Sequence, residues 1–265
     1  MRDRIISKQL AKEVNLLRNK TGPLSGVLFI TTYPPRESLI SEYSKAIVKA
    51  LNKNFNESLI INVCALESGK HNFTYPGEVT KILNTSKARE FERLALWINR
   101  DKSIRIVVIQ YDFDVFRELE LSFLLFLQEL AKPVSITFHT VVPDPDNNLK
   151  TKIRIISDSC KSVVAMSKNS SDLLTKEYGL RQDKISVIAN DSIPEQNEHL
   201  NNRIIPNPLQ WITPTSWESS AHAYTRLFEK LESSLRIKSD PRVINLIHSD
   251  DPYRGEPKPS RALTR

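Results

Sequence analysis

Glycine is scarce in this chain: six occur in 265 residues, at Gly22, Gly26, Gly69, Gly77, Gly179 and Gly255. No G-x-G-x-x-G and no G-x-x-x-x-G-K-[ST] can be drawn from them. A dinucleotide fingerprint or a P-loop needs bare backbone to approach phosphate, so both are excluded. G-x-S-x-G and H-E-x-x-H are absent as well, which removes the nucleophile-elbow hydrolases and the zincin metalloproteases. Cysteine is scarcer still. Cys64 and Cys160 lie far apart with no C-x-x-C, so a metal knuckle or disulfide framework is not expected, and a reduced cytosolic setting is the simplest reading. The densest apolar run, Phe123 to Leu127, is too short to span a bilayer. The opening twenty residues have no apolar stretch of the signal-peptide kind.

Charge is present but unevenly placed. The net charge is +7, with 38 Lys/Arg against 31 Asp/Glu. Residues 1–20 carry six basic and two acidic side chains, and residues 236–265 carry seven and four. The stretch between them therefore balances at 25 of each sign (38 − 13 and 31 − 6). A neutral body argues against binding along a phosphate backbone, so no specific nucleic-acid partner is expected. The basic ends suit solvated tails, or at most peripheral contact with the inner face of a membrane.

The middle of the chain alternates short apolar runs with amphipathic helical patterns. Strands are predicted at 26–30, 59–63, 104–109, 134–138, 162–166 and 185–188. Their near-continuous Val/Ile/Leu content suits a parallel sheet covered on both faces. Ile40, Ile47 and Leu51 share one face of a predicted helix over 38–53. Phe123, Leu124, Leu127 and Leu130 do so in 117–131, which Pro133 stops. Leu173, Leu174 and Tyr178 pattern another helix, with Gly179 placed as its C′ residue. The alternation predicts an α/β fold: a Rossmann-like, doubly wound, mainly parallel sheet of six to seven strands.

The organisation that follows is a basic amphipathic segment at 1–22, the sheet domain at 23–194, a linker at 195–214, an amphipathic helix at 215–236 and a disordered basic tail at 237–265. Thr215 and Glu218 have capping-box spacing at the start of that helix. Trp217, Ala221, Tyr224, Phe228, Leu231 and Leu235 then fall at helical spacing, an apolar stripe that must be covered. Packing back on the sheet domain is preferred over a partner helix.

Ligands of doubly wound sheets bind in the loops after the carboxyl ends of the strands. Three such loops carry polar chemistry. Thr31-Thr-Tyr-Pro-Pro-Arg-Glu-Ser38 presents Arg36 near a helix N-terminus, which suits an anion or a hydroxyl, or else a rigid turn whose arginine pairs locally. Gln110-Tyr-Asp-Phe-Asp-Val-Phe116 offers Asp112 and Asp114 as hydroxyl-positioning groups or a base, or as ordinary helix-start acids. In Phe138-His-Thr-Val-Val-Pro-Asp-Pro145, His139 ends an apolar strand at the ligand edge, as a functional or as a satisfied structural histidine.

Taken together, TTYPPRES, IQYDFDVF, KPVSITFHTVVPDPD, SVVAMSKNSSDLL and DKISVIANDSIP run in order through residues 26–194. They resemble the acceptor-side, N-terminal domain of bacterial family 4 GT-B glycosyltransferases, with their T-Y-P-P-R-E-C-G-I-A, I-Q-H-E-F-G-I-F and H-T-V-x-P-x-P segments. The resemblance implies a retaining transfer from a nucleotide-sugar co-substrate to a sugar or glycan acceptor, with no other cofactor and no protein-bound metal. It implies that Tyr33, Arg36, Ser38, Gln110 and Thr140 line the acceptor side, that His139 contacts the transferred sugar, and that Asp112 flanks it in a catalytic position. Leu39, Asp114, Arg117 and Glu118 stand where that family has glycine, which puts side chains where backbone would approach a ligand.

The family's donor-binding half would follow residue 194, yet no strand–helix alternation occurs there. The helix from Thr215 is similar to the one that ends those enzymes. The expectation is a glycosyltransferase-like protein lacking the donor half, with impaired or no independent catalysis. Its alternative is a non-catalytic subunit that partners a complete glycosyltransferase or a separate donor-domain chain.

Overall fold

The computed structural model describes residues 25–69, 73–188 and 214–239. The segments 1–22 and 195–213 and the residues of the tail beyond 239 lie outside the described residues.

Seven parallel strands form one sheet: β1 (Ser25–Thr31), β2 (Leu59–Glu67), β3 (Val79–Asn84), β4 (Ile104–Tyr111), β5 (Val134–Phe138), β6 (Ser162–Ala165) and β7 (Ile185–Val187). Their order across the sheet is β3-β2-β1-β4-β5-β6-β7. The chain winds outward from β1 in one direction, crosses back, and winds outward in the other. This is the doubly wound Rossmann-like topology, with its switch point between β1 and β4. The helices are α1 (Leu39–Phe55), α2 (Ala88–Arg100), α3 (Phe113–Phe116), α4 (Glu120–Glu129), α5 (Asn147–Ser159), α6 (Lys168–Lys176) and α7 (Pro214–Ser239).

Alternation along the strands divides the core into two layers. Leu28, Ile30, Val107, Ile109, Ile136 and Phe138 face α2, α4, α5 and α6. Val27, Phe29, Ile106 and Val108 face the other way, towards α1 and α7. In β5 the alternation is also chemical: Val134, Ile136 and Phe138 join the first layer, while buried Ser135 and Thr137 take the opposite parity.

The apolar stripe of α7 is covered by the sheet domain from Trp217 to Leu231, while the side chain of Leu235 lies outside the described residues. Trp217, Ala221, Tyr224, Phe228 and Leu231 are all buried in the layer that contains Tyr43, Ile47 and Leu51 of α1. Burying a side chain of this size contributes about 1.5–3 kcal/mol, so the stripe is a major term in holding α7 down. The helix starts at Pro214, one residue before the predicted capping position, so Thr215 sits inside the first turn rather than at the cap. Proline at the first helical position suits that start, because its missing N–H would have no partner there.

Two other expectations shift. The one-turn helix α3 at 113–116 has no counterpart among the predicted helices, and the helix predicted at 117–131 is α4, which starts at Glu120. Its end falls at Glu129, four residues before Pro133. The strand β3 has no counterpart among the predicted runs. It is an edge strand with Leu83 as its one fully buried residue, and Lys81 Nζ caps the Trp97 ring 4.8 Å from its centroid. A sheet edge open to solvent does not need the continuous apolar run that marks its neighbours.

Two glycines are structurally demanding. A Cβ on Gly26 would sit 1.9 Å from the Ser103 carbonyl oxygen, so only glycine lets β1 start beside that loop. Gly179 has φ +70° just past α6, close to its predicted role in ending the helix. There Arg154 Nε donates to the Tyr178 carbonyl at 2.6 Å, and its guanidinium fills the space a Cβ would take.

Both cysteines are free and buried, and burial pushes each thiol up to about 12. No described helix is long and apolar enough to cross a membrane.

Candidate functional site at the strand carboxyl ends

The carboxyl ends of β1, β4 and β5 lie side by side, because β1 pairs with β4 and β4 with β5. All three loops singled out in the sequence therefore open at one edge of the sheet.

After β1, the chain turns through Tyr33-Pro34-Pro35-Arg36, with a cis Pro34–Pro35 bond and the Arg36 N–H donating to the Tyr33 carbonyl at 3.1 Å. Ser38 then caps α1, its Oγ accepting from the Ser41 N–H at 3.0 Å and lying 3.2 Å from Thr32 Oγ1. Tyr33 does not form a cleft wall. It is 1% exposed, packed in the α1 layer, with its hydroxyl donating to Glu78 Oε1 at 3.0 Å. Burial, reinforced by Glu78, raises its pKa well above that of a free phenol. Arg36 is half-buried and reaches the Leu66 carbonyl at 3.5 Å at the end of β2.

After β4, Asp112 caps α3. Its Oδ1 accepts from the Asp114 N–H at 2.9 Å and from the Val115 N–H at 3.4 Å. The helix-start role expected for an acid here is the one it fills. Asp114 is exposed and pairs with Arg117 at 2.7 Å.

The most closely assembled group lies between β4 and β5. His139 Nε2 and Gln110 Oε1 are 2.7 Å apart. An amide oxygen only accepts, so the ring donates from Nε2 and its Nδ1 keeps a lone pair. Nδ1 has no hydrogen-bond partner among the described residues. His139 retains some exposed surface, yet protein packs closely round the ring, with Tyr43 edge-on at a centroid distance of 4.9 Å. Burial lowers its pKa from 6.5 to about 4, so the imidazole is neutral at physiological pH. Thr140, the next residue, is exposed.

Beneath this pair sits a buried polar network that sequence patterning does not reveal. The Tyr224 hydroxyl of α7 lies 3.4 Å from Gln110 Nε2, 3.2 Å from Thr137 Oγ1 and 3.3 Å from the Tyr43 hydroxyl. The stripe places Tyr224 as a core residue, and its ring is one. Only its hydroxyl, opposite polar Thr137 and Gln110 on otherwise apolar strands, hints at the second role. Trp217 packs on Tyr43 at 5.3 Å between centroids, extending the aromatic cluster round His139.

Of the seven residues expected at the site, Gln110 and His139 are in direct contact, and Arg36, Ser38, Asp112 and Thr140 occupy the same strand edge. Tyr33 is in the core. Among the described residues no group of His, Cys, Asp and Glu is arranged to hold a metal ion.

No protein-family model matches the chain, and no curated protein matches it. Among solved structures it is similar to a glycosyltransferase from Rickettsia africae, at 15% identity and TM-score 0.44, covering 64% of this chain and 44% of that one. It is also similar to a UDP-GlcNAc 2-epimerase from Methanocaldococcus jannaschii, at 17% identity and TM-score 0.42, covering 62% and 45%. A second UDP-N-acetylglucosamine 2-epimerase aligns at 14% identity and TM-score 0.39, covering 67% and 53%. The chain spans about half the length of these structures.

Proposed function

We propose that this chain is a glycosyltransferase-like protein of the retaining family 4 type that binds a sugar or glycan acceptor at the strand carboxyl ends and does not catalyse transfer alone. The observation that carries the reading is the His139–Gln110 contact of 2.7 Å, made by residues from two of the segments that resemble that family. A neutral imidazole whose Nδ1 has no partner among the described residues, beside Tyr43, suits hydroxyl groups on a partly apolar ring better than it suits an anion.

The short connection between β7 and α7 supports the absence of independent catalysis. Residues 188–213 are all that separate β7 from α7. A second Rossmann-like half needs several times that length. Without it, no cradle for a departing nucleotide diphosphate comes from this stretch, and stabilising that charge is a large term in such chemistry. The docked α7 supports the same picture: it is the returning helix of a two-domain ancestor, joined directly to the first domain.

A second reading, an assembly subunit for a complete glycosyltransferase or a separate donor-domain chain, is favoured by the same short connection. In either case the proposed setting is the cytoplasm, with the basic ends making at most peripheral membrane contact.

Saturation-transfer NMR with a panel of mono- and oligosaccharides tests the acceptor site. Saturation of at least one sugar that disappears in His139→Ala, with the fold retained, is the expected result. Equal signals from wild type and variant, or none from any sugar, would count against the assignment.

A further inference from the structure

We propose that Tyr224 is a positioning residue: by holding the Gln110 side-chain amide from below, it fixes the ring tautomer of His139 and so couples docking of α7 to the chemistry of the strand edge. The inference goes beyond the functional proposal and stands without it, because its readout needs no ligand.

The distances support one orientation of the amide. The atom facing His139 Nε2 is 2.7 Å away, and the atom facing the Tyr224 hydroxyl is 3.4 Å away. A ring N–H donating to a carbonyl oxygen is at home near 2.7 Å, whereas an amide N–H donating to a ring nitrogen would be compressed there. The amide N–H₂ therefore points to Tyr224, whose oxygen accepts. Tyr224 in turn hydrogen-bonds with Thr137 and Tyr43, donating to one and accepting from the other. Its ring is held between Phe29 at 6.1 Å and Phe228 at 5.8 Å, so the hydroxyl has little freedom to leave.

Without the Tyr224 hydroxyl, no other group among the described residues holds the amide nitrogen. Gln110 is fully buried, so water does not readily replace the lost partner. The amide would be free to turn and offer its N–H₂ to His139, which would then have to carry its proton on Nδ1. Nδ1, the nitrogen that Gln110 does not hold, would change from an acceptor to a donor. A helix joined to the sheet domain only after residue 213 thus decides which kind of hydroxyl contact His139 can make.

Long-range ¹⁵N–¹H spectra of the full chain, labelled at histidine, read this directly; His139→Ala identifies the resonances among the five histidines. At neutral pH the wild type should show the Nε2–H tautomer. Tyr224→Phe, which keeps the ring, should move the tautomer ratio towards Nδ1–H by roughly five-fold, the change expected for loss of one ordinary hydrogen bond. Adding Gln110→Glu should restore the Nε2–H form, because a carboxylate offers only acceptors. A general loosening would not be rescued in this way.

A variant-free arm uses wild type alone. The Gln110 amide protons should show stronger nuclear Overhauser contacts to the Tyr224 ring than to His139. An Nδ1–H wild type, amide protons nearer His139 than Tyr224, or an unchanged ratio in folded Tyr224→Phe would each overturn the proposal.

Discussion

The Tyr43 and Tyr224 hydroxyls meet 3.3 Å apart, joining α1 to α7 across 181 positions of sequence. Around that contact α7 buries Trp217, Ala221, Phe228 and Leu231. The helix is thus part of the core layer over α1 rather than an appendage. Phe228→Ala should destabilise the chain by about 3–5 kcal/mol, the range for emptying a buried aromatic site. Urea unfolding would check it, with a lowered midpoint at an unchanged slope; a change below about 1 kcal/mol would mean that α7 is loosely held.

Glycine is used sparingly, and Gly26 is one place where it is required. Gly26→Ala puts a methyl group 1.9 Å from the Ser103 carbonyl, a backbone atom that cannot swing aside. A loss of about 3 kcal/mol or more is expected, at the upper end of overpacking effects. Gly77→Ala, with nothing within 4 Å of the new methyl, is the matched control and should be nearly neutral. Thermal melts of the two variants side by side decide the point.

Asp112 separates a structural from a chemical role. Its carboxylate caps α3, and an asparagine amide oxygen can accept the same bonds. Asp112→Asn should therefore keep stability within about 0.5 kcal/mol of wild type, while Asp112→Ala costs about 1 kcal/mol. If the asparagine variant is stable but loses sugar saturation transfer, the charge is functional. If it keeps both, the cap is the whole role of Asp112.

The depressed pKa of His139 makes a signed prediction. As pH falls through 6.5 the unfolded chain takes up a proton on this residue, while the folded chain resists until about 4. The unfolded state binds more protons in that window, so stability is complete above it and falls as pH drops through it. Because the ring is partly exposed, the effect should be about 1–2 kcal/mol rather than that of the whole shift. The difference in unfolding free energy between wild type and His139→Gln should shrink between neutral pH and about pH 4.

Burial pushes the Cys64 and Cys160 thiols up to about 12. Neither should react with an aromatic disulfide reagent in the folded chain, and both should react once urea is added. Reaction of either in the native state would show that its layer opens.

Much of the fold is legible in the sequence, because parallel strands covered on both faces must be nearly continuous in apolar residues. Six strands and the stripe of α7 follow from that requirement. Edge strand β3 does not, since solvent on one side removes the requirement. The one-turn helix α3 is missed because four residues, Phe113 to Phe116, are too few to show a helical period.

At the site, loop position is readable and partnership is not. His139 and Gln110 are 29 residues apart, and only strand order makes them neighbours. Tyr33 lies in a motif-bearing loop, yet its ring is drawn into the core beside α1. Tyr224 is hidden for the opposite reason: a tyrosine at a stripe position reads as bulk, and its hydroxyl acquires meaning only when Thr137 and Gln110 are placed opposite.

The proposed function is acceptor binding by the sheet domain, with no donor site supplied by residues 188–213. Calorimetric titration of the purified full chain with uridine- and guanosine-diphosphate sugars tests it most directly. The expected result is no binding tighter than about 1 mM, equivalent to roughly 4 kcal/mol. Micromolar binding of either nucleotide sugar would contradict it and would return the chain to the active transferases.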